Sequence, residues 1–298
     1  MIEGMDPAPS PSVEMGAYGL RVGSSLATTL THAPFAKHLV KAGDGWPQWT
    51  IDWEPLQVGL IPEGDLWSWS ETHVRLPIRP AGFATIDREA ARTILHLPKM
   101  PVPEALIHPH LASTAIVANH WAGGASFHAG SFLVDGRTWG VLGDRELGKS
   151  SLLMWLHRAG FTILSDDVLV VHNASAYAGP RCLDLRREAA ERFEEGECLG
   201  VVGTRERWRV TLGDVPTEVP MGGWVRLKWS DDLSIGRAAV SARVAALAGN
   251  YGISAPRFAT PGILDLLDMP MVTFSRPQSW AEIDASMDAL VRALEKLS

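Results

Sequence analysis

The chain contains only two cysteines, Cys182 and Cys198, among its 298 residues. Two cysteines are too few for a disulfide framework, and their spacing does not match a metal site. The N-terminus also lacks a basic segment followed by an apolar one, which is the pattern of a secretion signal. We therefore expect a cytoplasmic protein.

Long apolar runs and an excess of positive charge are also missing. No stretch approaches the ~18 uninterrupted apolar residues that a membrane helix needs, so we expect no membrane span. The formal net charge is -7 and the pI is about 5.8. An acidic chain does not gain affinity by neutralising phosphates, which argues against nucleic acid as the main partner.

The composition is that of a folded protein, with 46% apolar and 20% charged residues. The chain is longer than a typical single domain of ~100 to 200 residues, so two domains are expected. Residues 1 to 15 are rich in Pro and Ser and have no apolar periodicity, which predicts a disordered lead.

Residues 16 to 105 are interpreted as a smaller β-rich N-terminal domain. Short apolar or alternating runs are separated there by Gly, Pro and Asp. Several tryptophans fall in this part, and packing of the sheet is favoured over a ligand-stacking surface. Residues 87 to 97 and 111 to 121 have helical spacing, so helices are predicted at both places.

Residues 106 to 298 are interpreted as an α/β domain that contains a phosphate-binding loop, or P-loop. The segment from Gly143 to Ser150 satisfies G-x-x-x-x-G-K-[ST] and lies between an apolar strand and an amphipathic helix. Backbone N–H groups of such a loop and the dipole of the following helix bind phosphate oxygens. The nucleotide-binding candidates are Gly143, Asp144, Arg145, Glu146, Leu147, Gly148, Lys149, Ser150 and Ser151.

Each chemical group of the loop has an expected role. The ammonium of Lys149 should reach the β- and γ-phosphates, and the hydroxyl of Ser150 should bind Mg²⁺. Ser151 is a candidate for the α-phosphate. Arg145 and Glu146 are expected at the rim of the loop, because the cradle does not require their side chains.

Two adjacent carboxylates, Asp166 and Asp167, lie between the apolar runs FTIL and VLVV. Burying two carboxylates is costly unless a metal ion or proton chemistry compensates for it. One of them can bind Mg²⁺, while the other accepts the proton of an attacking hydroxyl. The alternative is an exposed strand end with two solvated aspartates.

From His128-Ala129-Gly130 through the P-loop to the Asp-Asp pair, the sequence resembles the kinase core of the HPr serine kinase/phosphorylase superfamily. The resemblance covers roughly residues 105 to 172 and implies an HPr-kinase/PEP-carboxykinase-like P-loop domain. It also implies that His128 lies near the reacting phosphate, with Asp166 as the acid/base and Asp167, with Ser150, on the metal. Which aspartate takes which role stays open at this point. Oligomers are common in that superfamily, so a homo-oligomer is one alternative.

The sequence departs from the bifunctional members of that superfamily. It has no counterpart of their Glu-x-Arg-Gly-Leu-Gly signature, and ECLGVVG at 197 to 203 is only a faint echo. The pattern is closer to shorter HPr-kinase-like proteins of peptide-tailoring pathways. The resemblance therefore implies a serine kinase that uses ATP and Mg²⁺ and acts on a peptide or protein, with a small-molecule hydroxyl as the second choice of acceptor.

Other polar residues leave alternatives open. His108 and His110 could form a metal pair, but helix-start or packing roles are favoured because no further ligand lies at suitable spacing. Arginines on the RERWR run would share one face of a strand and could contact phosphate or substrate, or they could lie on a solvated edge. The candidates are Arg181, Arg205, Arg207 and Arg209.

The sequence thus predicts a phosphotransferase with an alcohol acceptor. The main alternative is a nucleotide-binding regulatory module that transfers nothing. ATP hydrolysis coupled to a conformational change is a third reading, and the choice between ATP and GTP is open.

Overall fold

The computed structural model describes residues 14–23, 36–56, 67–253 and 263–297. The predicted disordered lead lies outside these residues except for Glu14 and Met15. Met15 is the first residue of a strand that pairs with two others, so at this residue the prediction is wrong. None of the described helices is long and apolar enough to cross a membrane.

The front part of the chain is a mixed sheet with the order β3-β1-β2-β4-β8-β7-β6-β5. Strands β2, β4 and β8 run parallel to one another, and the remaining neighbours are antiparallel. The strands are β1 Met15–Ala17, β2 Leu20–Gly23, β3 Val40–Lys41, β4 Gln48–Pro55, β5 Ser68–Trp69, β6 His73–Pro77, β7 Phe83–Asp87 and β8 Arg92–Leu97.

Strand β8 corrects the helix that we predicted over residues 87 to 97. Its sequence RTILHL alternates between partly and fully buried positions along the strand. A period of two places every second side chain in the core of a sheet, and the β-branched Thr93 and Ile94 suit that surface. The apolar residues of this segment fit helical spacing only if the alternation is overlooked.

A helical segment follows the front sheet and is buried on both sides. It comprises α1 Pro103–Ala105, a π-helical stretch Leu106–Leu111 with a kink at His108, and α2 Ala112–Trp121. Residues of this segment share one apolar cluster with the front sheet and with Val168 and Val170. The helix predicted over 111 to 121 is confirmed, and the front core extends past the predicted boundary at residue 106.

The later strands form two sheets. The larger has the order β12-β10-β11-β18-β14-β13-β9, with β20 paired to β18 and β19, and the smaller has the order β15-β17-β16. The strands are β9 Ala125–Phe127, β10 Gly130–Val134, β11 Arg137–Leu142, β12 Ile163–Ser165, β13 Leu169–His172, β14 Ser175–Tyr177, β15 Cys182–Leu185, β16 Glu197–Val202, β17 Arg205–Thr211, β18 Glu218–Trp229, β19 Ser234–Arg237 and β20 Met271–Arg276.

Helices pack against the larger sheet in two separate apolar clusters, which makes this a mixed α/β structure as expected. One cluster joins the sheet to α3, α4 and α7, and the other joins it to α5 and α6. The C-terminal helix packs on the sheet with Met287, Leu290 and Leu294 fully buried. The helices are α3 Lys149–Arg158, α4 Arg187–Phe193, α5 Val240–Asn250, α6 Ile263–Asp268 and α7 Ile283–Leu294.

The front sheet contacts the later part of the chain through Tyr18. Tyr18 and Gly19 form the two-residue turn between β1 and β2, and both have positive φ. The turn places the fully buried Tyr18 ring against Gly179. The Tyr18 N–H donates to the carbonyl of Ala178 at 2.7 Å, and Asn119 Nδ2 donates to the Tyr18 carbonyl at 2.8 Å.

Candidate functional site

The predicted phosphate-binding loop connects the end of β11 to the start of α3. Gly148 precedes the helix with φ of 78°, a left-handed conformation that glycine adopts without strain. No side chain of the described residues caps the N-terminus of this helix. The Lys149 ammonium lies back over the loop, where it donates to the carbonyl of Gly143 at 2.6 Å and to that of Asp144 at 3.2 Å.

The charged residues inside the loop lie at its rim. The side chains of Asp144, Arg145 and Glu146 are exposed. Glu146 pairs with Arg186 across 3.1 Å, and both of these side chains are largely solvated. Leu147 instead packs against the apolar cluster under the helix. These placements leave the backbone of the loop as the surface available to phosphate.

Arg276 supports the loop from the end of β20 and was not anticipated from the sequence. Its guanidinium donates from Nη2 to the Leu147 carbonyl at 3.1 Å and stacks on the Trp229 ring at 4.1 Å from the ring centroid. A Cβ atom on Gly148 would lie 2.7 Å from the same Nη2. The second glycine of the motif therefore suits the left-handed backbone, and a side chain there would require the Arg276 guanidinium to shift.

Asp166 follows β12 and is almost fully buried, with 2% of its surface exposed. Its Oδ1 accepts a hydrogen bond from Ser150 Oγ at 3.3 Å, and its Oδ2 accepts one from the Asp184 N–H at 3.1 Å. Burial and the neighbouring Asp167 raise the pKa of this carboxyl to about 7. The structure therefore brings Asp166 directly to the P-loop serine.

Asp167 has a different environment from its neighbour. Its backbone is left-handed with φ of 67°, and its side chain is 28% exposed. Burial raises the pKa of this carboxyl, but electrostatic interactions with the basic groups of His108, Arg205 and His128 outweigh that effect and lower it overall. Asp167 is thus the more accessible and the more readily ionised member of the pair.

His128 contacts Asp167 and not the loop itself. Its Nδ1 lies 3.0 Å from the Asp167 carbonyl and 3.6 Å from Asp167 Oδ1. A carbonyl only accepts hydrogen bonds, so Nδ1 carries the proton. Burial lowers the pKa of His128, which favours the neutral ring and leaves Nε2 unprotonated.

Asn250 connects the loop to His128 and was also missed by sequence reasoning. Its Oδ1 accepts from the Gly143 N–H at 3.3 Å, while its backbone carbonyl accepts from the His128 N–H at 2.6 Å. The Nδ2 group donates to the carbonyl of Ala246, which fixes the side chain at the end of α5. A polar residue that ends an apolar helix was the only sequence signal for this role.

Three of the four candidate arginines have their guanidinium groups engaged within the protein. Arg207 and Arg209 are buried and donate to the Asp184 carboxylate at 2.8 to 2.9 Å. Arg181 is buried and donates to backbone carbonyls, among them those of Leu164 and Ile163 at 3.1 and 2.8 Å. The guanidinium groups of these three side chains are thus engaged by contacts within the protein, which differs from the predicted substrate face.

Arg205 is the exception among these arginines. It is only partly buried and makes no hydrogen bond or ion pair with any described residue. Its positive charge acts to lower the pKa values of Asp166, Asp167 and Lys149, although burial raises that of Asp166 overall. Arg205 therefore has a positive charge within electrostatic range of the aspartate pair.

The two histidines of the kinked segment are buried, with exposures of 1% for His108 and 6% for His110. Burial lowers the pKa of each to about 4. Within the described ranges, no group of three or more His, Cys, Asp or Glu side chains is arranged to hold a metal ion. The favoured packing role of these histidines is consistent with their burial.

Comparisons with known proteins show a distant likeness to a solved structure. No protein-family model matches the chain, and no curated protein matches it. Among solved structures, the Hpr(Ser) kinase/phosphatase from Coxiella burnetii is similar, with 11% sequence identity, a TM-score of 0.30, and coverage of 58% of this chain and 99% of that chain. At this TM-score the likeness supports no argument about activity, which must come from the site itself.

Proposed function

We propose that this chain is an ATP- and Mg²⁺-dependent kinase that transfers the γ-phosphoryl group to a serine or similar hydroxyl of a peptide or protein. The observation that carries the proposal is the hydrogen bond from Ser150 to Asp166. It brings a phosphate-binding helix start and a pair of carboxylates into one site. Phosphoryl transfer needs these two parts together, because catalysis rests on positioning and charge stabilisation.

The residues of the loop fit a nucleoside triphosphate. The uncapped N-terminus of α3 has backbone N–H groups and the positive end of a helix dipole for phosphate oxygens. Among the described residues, the Lys149 ammonium donates only to loop carbonyls and can turn to a phosphate instead. The nucleotide supplies the phosphoryl group, and magnesium neutralises charge on its oxygens.

The contacts favour a division of roles opposite to the one that the resemblance implies. Asp166 is buried and already contacts Ser150, so its carboxylate and the serine hydroxyl together suit a hard cation. Asp167 is 28% exposed, so an incoming hydroxyl can reach it. We assign Asp166 to magnesium and Asp167 to the proton of the acceptor.

His128 positions Asp167. Its Nδ1–H donates a hydrogen bond to the Asp167 carbonyl, and its backbone N–H donates one to the Asn250 carbonyl. The left-handed backbone of Asp167 is strained for a residue with a side chain, and such strain persists only where surrounding contacts hold it. The histidine therefore keeps the carboxylate directed at the acceptor.

Arg205 stabilises the transferring group. Its guanidinium is free of partners among the described residues and lies near Lys149 and both aspartates. A planar guanidinium binds phosphoryl oxygens through two parallel hydrogen bonds, and its charge opposes the charge that develops during transfer. Of the four arginines that the sequence suggested as phosphate or substrate contacts, Arg205 is the one to which we assign this role.

Transfer of label from γ-labelled ATP tests the proposal. The protein is incubated with Mg²⁺ and either a pool of serine-containing peptides or a lysate metabolite fraction, next to Lys149→Ala and the exposed-lysine control Lys99→Ala. Label on a peptide that is abolished by Lys149→Ala and retained by Lys99→Ala supports the proposal. Tight ATP binding without transfer to any acceptor indicates a regulatory module instead, and release of phosphate without an acceptor indicates a hydrolase.

A further inference from the structure

A groove of about 280 Å³ lies where the front sheet, the kinked helical segment and the β16–β17 hairpin meet. Its sheet wall includes Leu76 and Ile86, and its hairpin wall is the turn Gly203–Thr204. The helical wall includes Pro109, whose Cδ lies 3.7 Å from where a Cβ on Gly203 would be. The groove is therefore built from three elements that are far apart in the sequence.

The groove is joined to the candidate active site by two hydrogen bonds. Arg207 lines the groove and donates from Nη1 to Asp184 Oδ2 at 2.8 Å. The Asp184 N–H donates in turn to Asp166 Oδ2 at 3.1 Å. Arg205 directly follows the turn residue Thr204 and begins the strand that carries Arg207. The groove and the aspartate pair are therefore linked through the buried Arg207–Asp184 ion pair and through the hairpin.

The chemistry of the groove selects its occupant. Among the described residues, its lining contains no Asp or Glu, and several of the lining side chains are aliphatic. Arg207 is neutralised by Asp184, whereas Arg79 at the sheet wall is exposed. The surface therefore complements an apolar side chain next to a negative charge.

We infer that this groove binds the acceptor segment of a peptide substrate, an inference that rests on the proposed kinase function. An apolar side chain close to the acceptor occupies the groove over Leu76, and an acidic residue pairs with Arg79. The acceptor hydroxyl then lies at Asp167. The volume is slightly below the ~300 to 1,000 Å³ of small-molecule sites, which suits one or two side chains of a short segment and not a folded domain.

A positional-scanning library of serine peptides with γ-labelled ATP tests the inference. The groove variant is Leu76→Glu, and the matched control is Leu264→Glu, the same change at a residue of α6 that is 71% exposed. We expect Leu76→Glu to raise the KM for the preferred peptide by about 10-fold or more, because a carboxylate is placed against an apolar side chain. Leu264→Glu should leave KM unchanged, and both variants should bind ATP as the parent does.

Charge reversal at Arg79 gives a second, independent readout. Arg79→Glu should weaken the selection for an acidic residue at one position of the library and favour Lys or Arg there. If Leu76→Glu and Arg79→Glu transfer phosphate to peptides with the KM and selectivity of the parent, the groove is not the peptide site, while the kinase function stands. Transfer to a small molecule alone would overturn the peptide occupant, and the absence of any transfer, with ATP still bound, would overturn both proposals.

Discussion

The hydroxyl of Ser150 donates to the buried carboxylate of Asp166 across 3.3 Å. This bond joins the first turn of α3 to the end of β12, two strands away from the strand that begins the loop. The adjacent Asp167 points to a more exposed environment and is held by His128. The two neighbouring carboxylates therefore have different surroundings. We expect substitution of one to affect nucleotide binding and substitution of the other to affect phosphoryl transfer.

Asp167→Asn should abolish most transfer and leave nucleotide binding intact. An amide cannot accept the proton of the acceptor hydroxyl, and loss of a general base typically costs about 10² to 10⁴ in rate. The Kd for Mg²⁺ and ATP should change by less than about 3-fold, because the loop is not altered. Single-turnover transfer and calorimetric titration of ATP measure the two quantities.

Asp166→Asn is the comparison variant and should fail at an earlier step. The amide replaces an acceptor of both Ser150 Oγ and the Asp184 N–H, so magnesium-dependent nucleotide binding should weaken. Titration of ATP with and without Mg²⁺ measures this dependence. If Asp166→Asn instead binds magnesium and ATP normally while losing transfer, Asp166 is the proton acceptor, as first expected from the sequence.

Arg205→Ala should slow transfer with little effect on stability. The guanidinium has no partner among the described residues, so its removal breaks no contact there, and such changes alter the free energy of unfolding by less than about 0.5 kcal/mol. Loss of a charge that acts on the transition state should lower the rate by about 10² to 10³. Equal loss of stability and rate would identify Arg205 as a structural residue.

Arg209→Ala should have the opposite profile. Its guanidinium makes two hydrogen bonds to the buried Asp184, whose pKa the arginine pair holds well below its usual range against the effect of burial. Removing one partner of a buried pair leaves an uncompensated charge and costs about 3 to 5 kcal/mol. Chemical denaturation should show this loss, and a stable Arg209→Ala protein with impaired transfer would contradict the structural role.

Comparison of these arginines shows what the sequence could and could not predict. The strand at RERWR and the P-loop follow from local patterns, namely alternation and a motif between a strand and a helix. The burial of Arg207 and Arg209 depends on Asp184, which faces them only through the register of β15 against β17. A pairing between distant strands leaves no local signal in the sequence. A strand with solvated arginines and a strand whose arginines form a buried ion pair therefore have the same local pattern.

The same limit applies to the support of the loop. Asn250 and Arg276 lie more than 100 residues after Gly143 and meet it only in the fold. The turn that buries Tyr18 is likewise local in sequence, but its contact with the Asp166 carbonyl at 3.5 Å is not. The motif predicts a phosphate site, and the fold determines which side chains hold the motif in place.

Gly148→Ala should weaken ATP binding by about 10-fold or more, because the added methyl meets Arg276 and the left-handed backbone disfavours alanine. Gly160→Ala is the matched control, since Gly160 has φ of 90° but nothing within 4 Å of an added Cβ. The control should lose roughly 1 kcal/mol of stability and bind ATP normally. Similar ATP affinities for the two variants would show that the contact with Arg276 is not limiting.

His38 should make the protein less stable as the pH falls from about 6.5 to 4. Burial is the largest cause that lowers its folded-state pKa from 6.5 to about 4, with the nearby Arg209 acting in the same direction. Below pH 6.5 the unfolded chain takes up the proton before the folded protein does, so stability that is fully present above pH 6.5 is progressively lost.

The variant His38→Gln removes this titratable group and keeps a side-chain donor for the Arg181 carbonyl, which lies 3.3 Å from His38 Nδ1. Between pH 6.5 and 4 the variant should lose roughly 3 kcal/mol less than the parent in urea denaturation, at about 1.4 kcal/mol per pKa unit. Both proteins should still lose stability, because His108 and His110 have pKa values lowered to about 4 in the same way. Parallel stability curves for the two proteins would mean that His38 becomes protonated in the folded protein as readily as in the unfolded chain. The ring that contacts the Arg181 carbonyl would then not be a neutral imidazole.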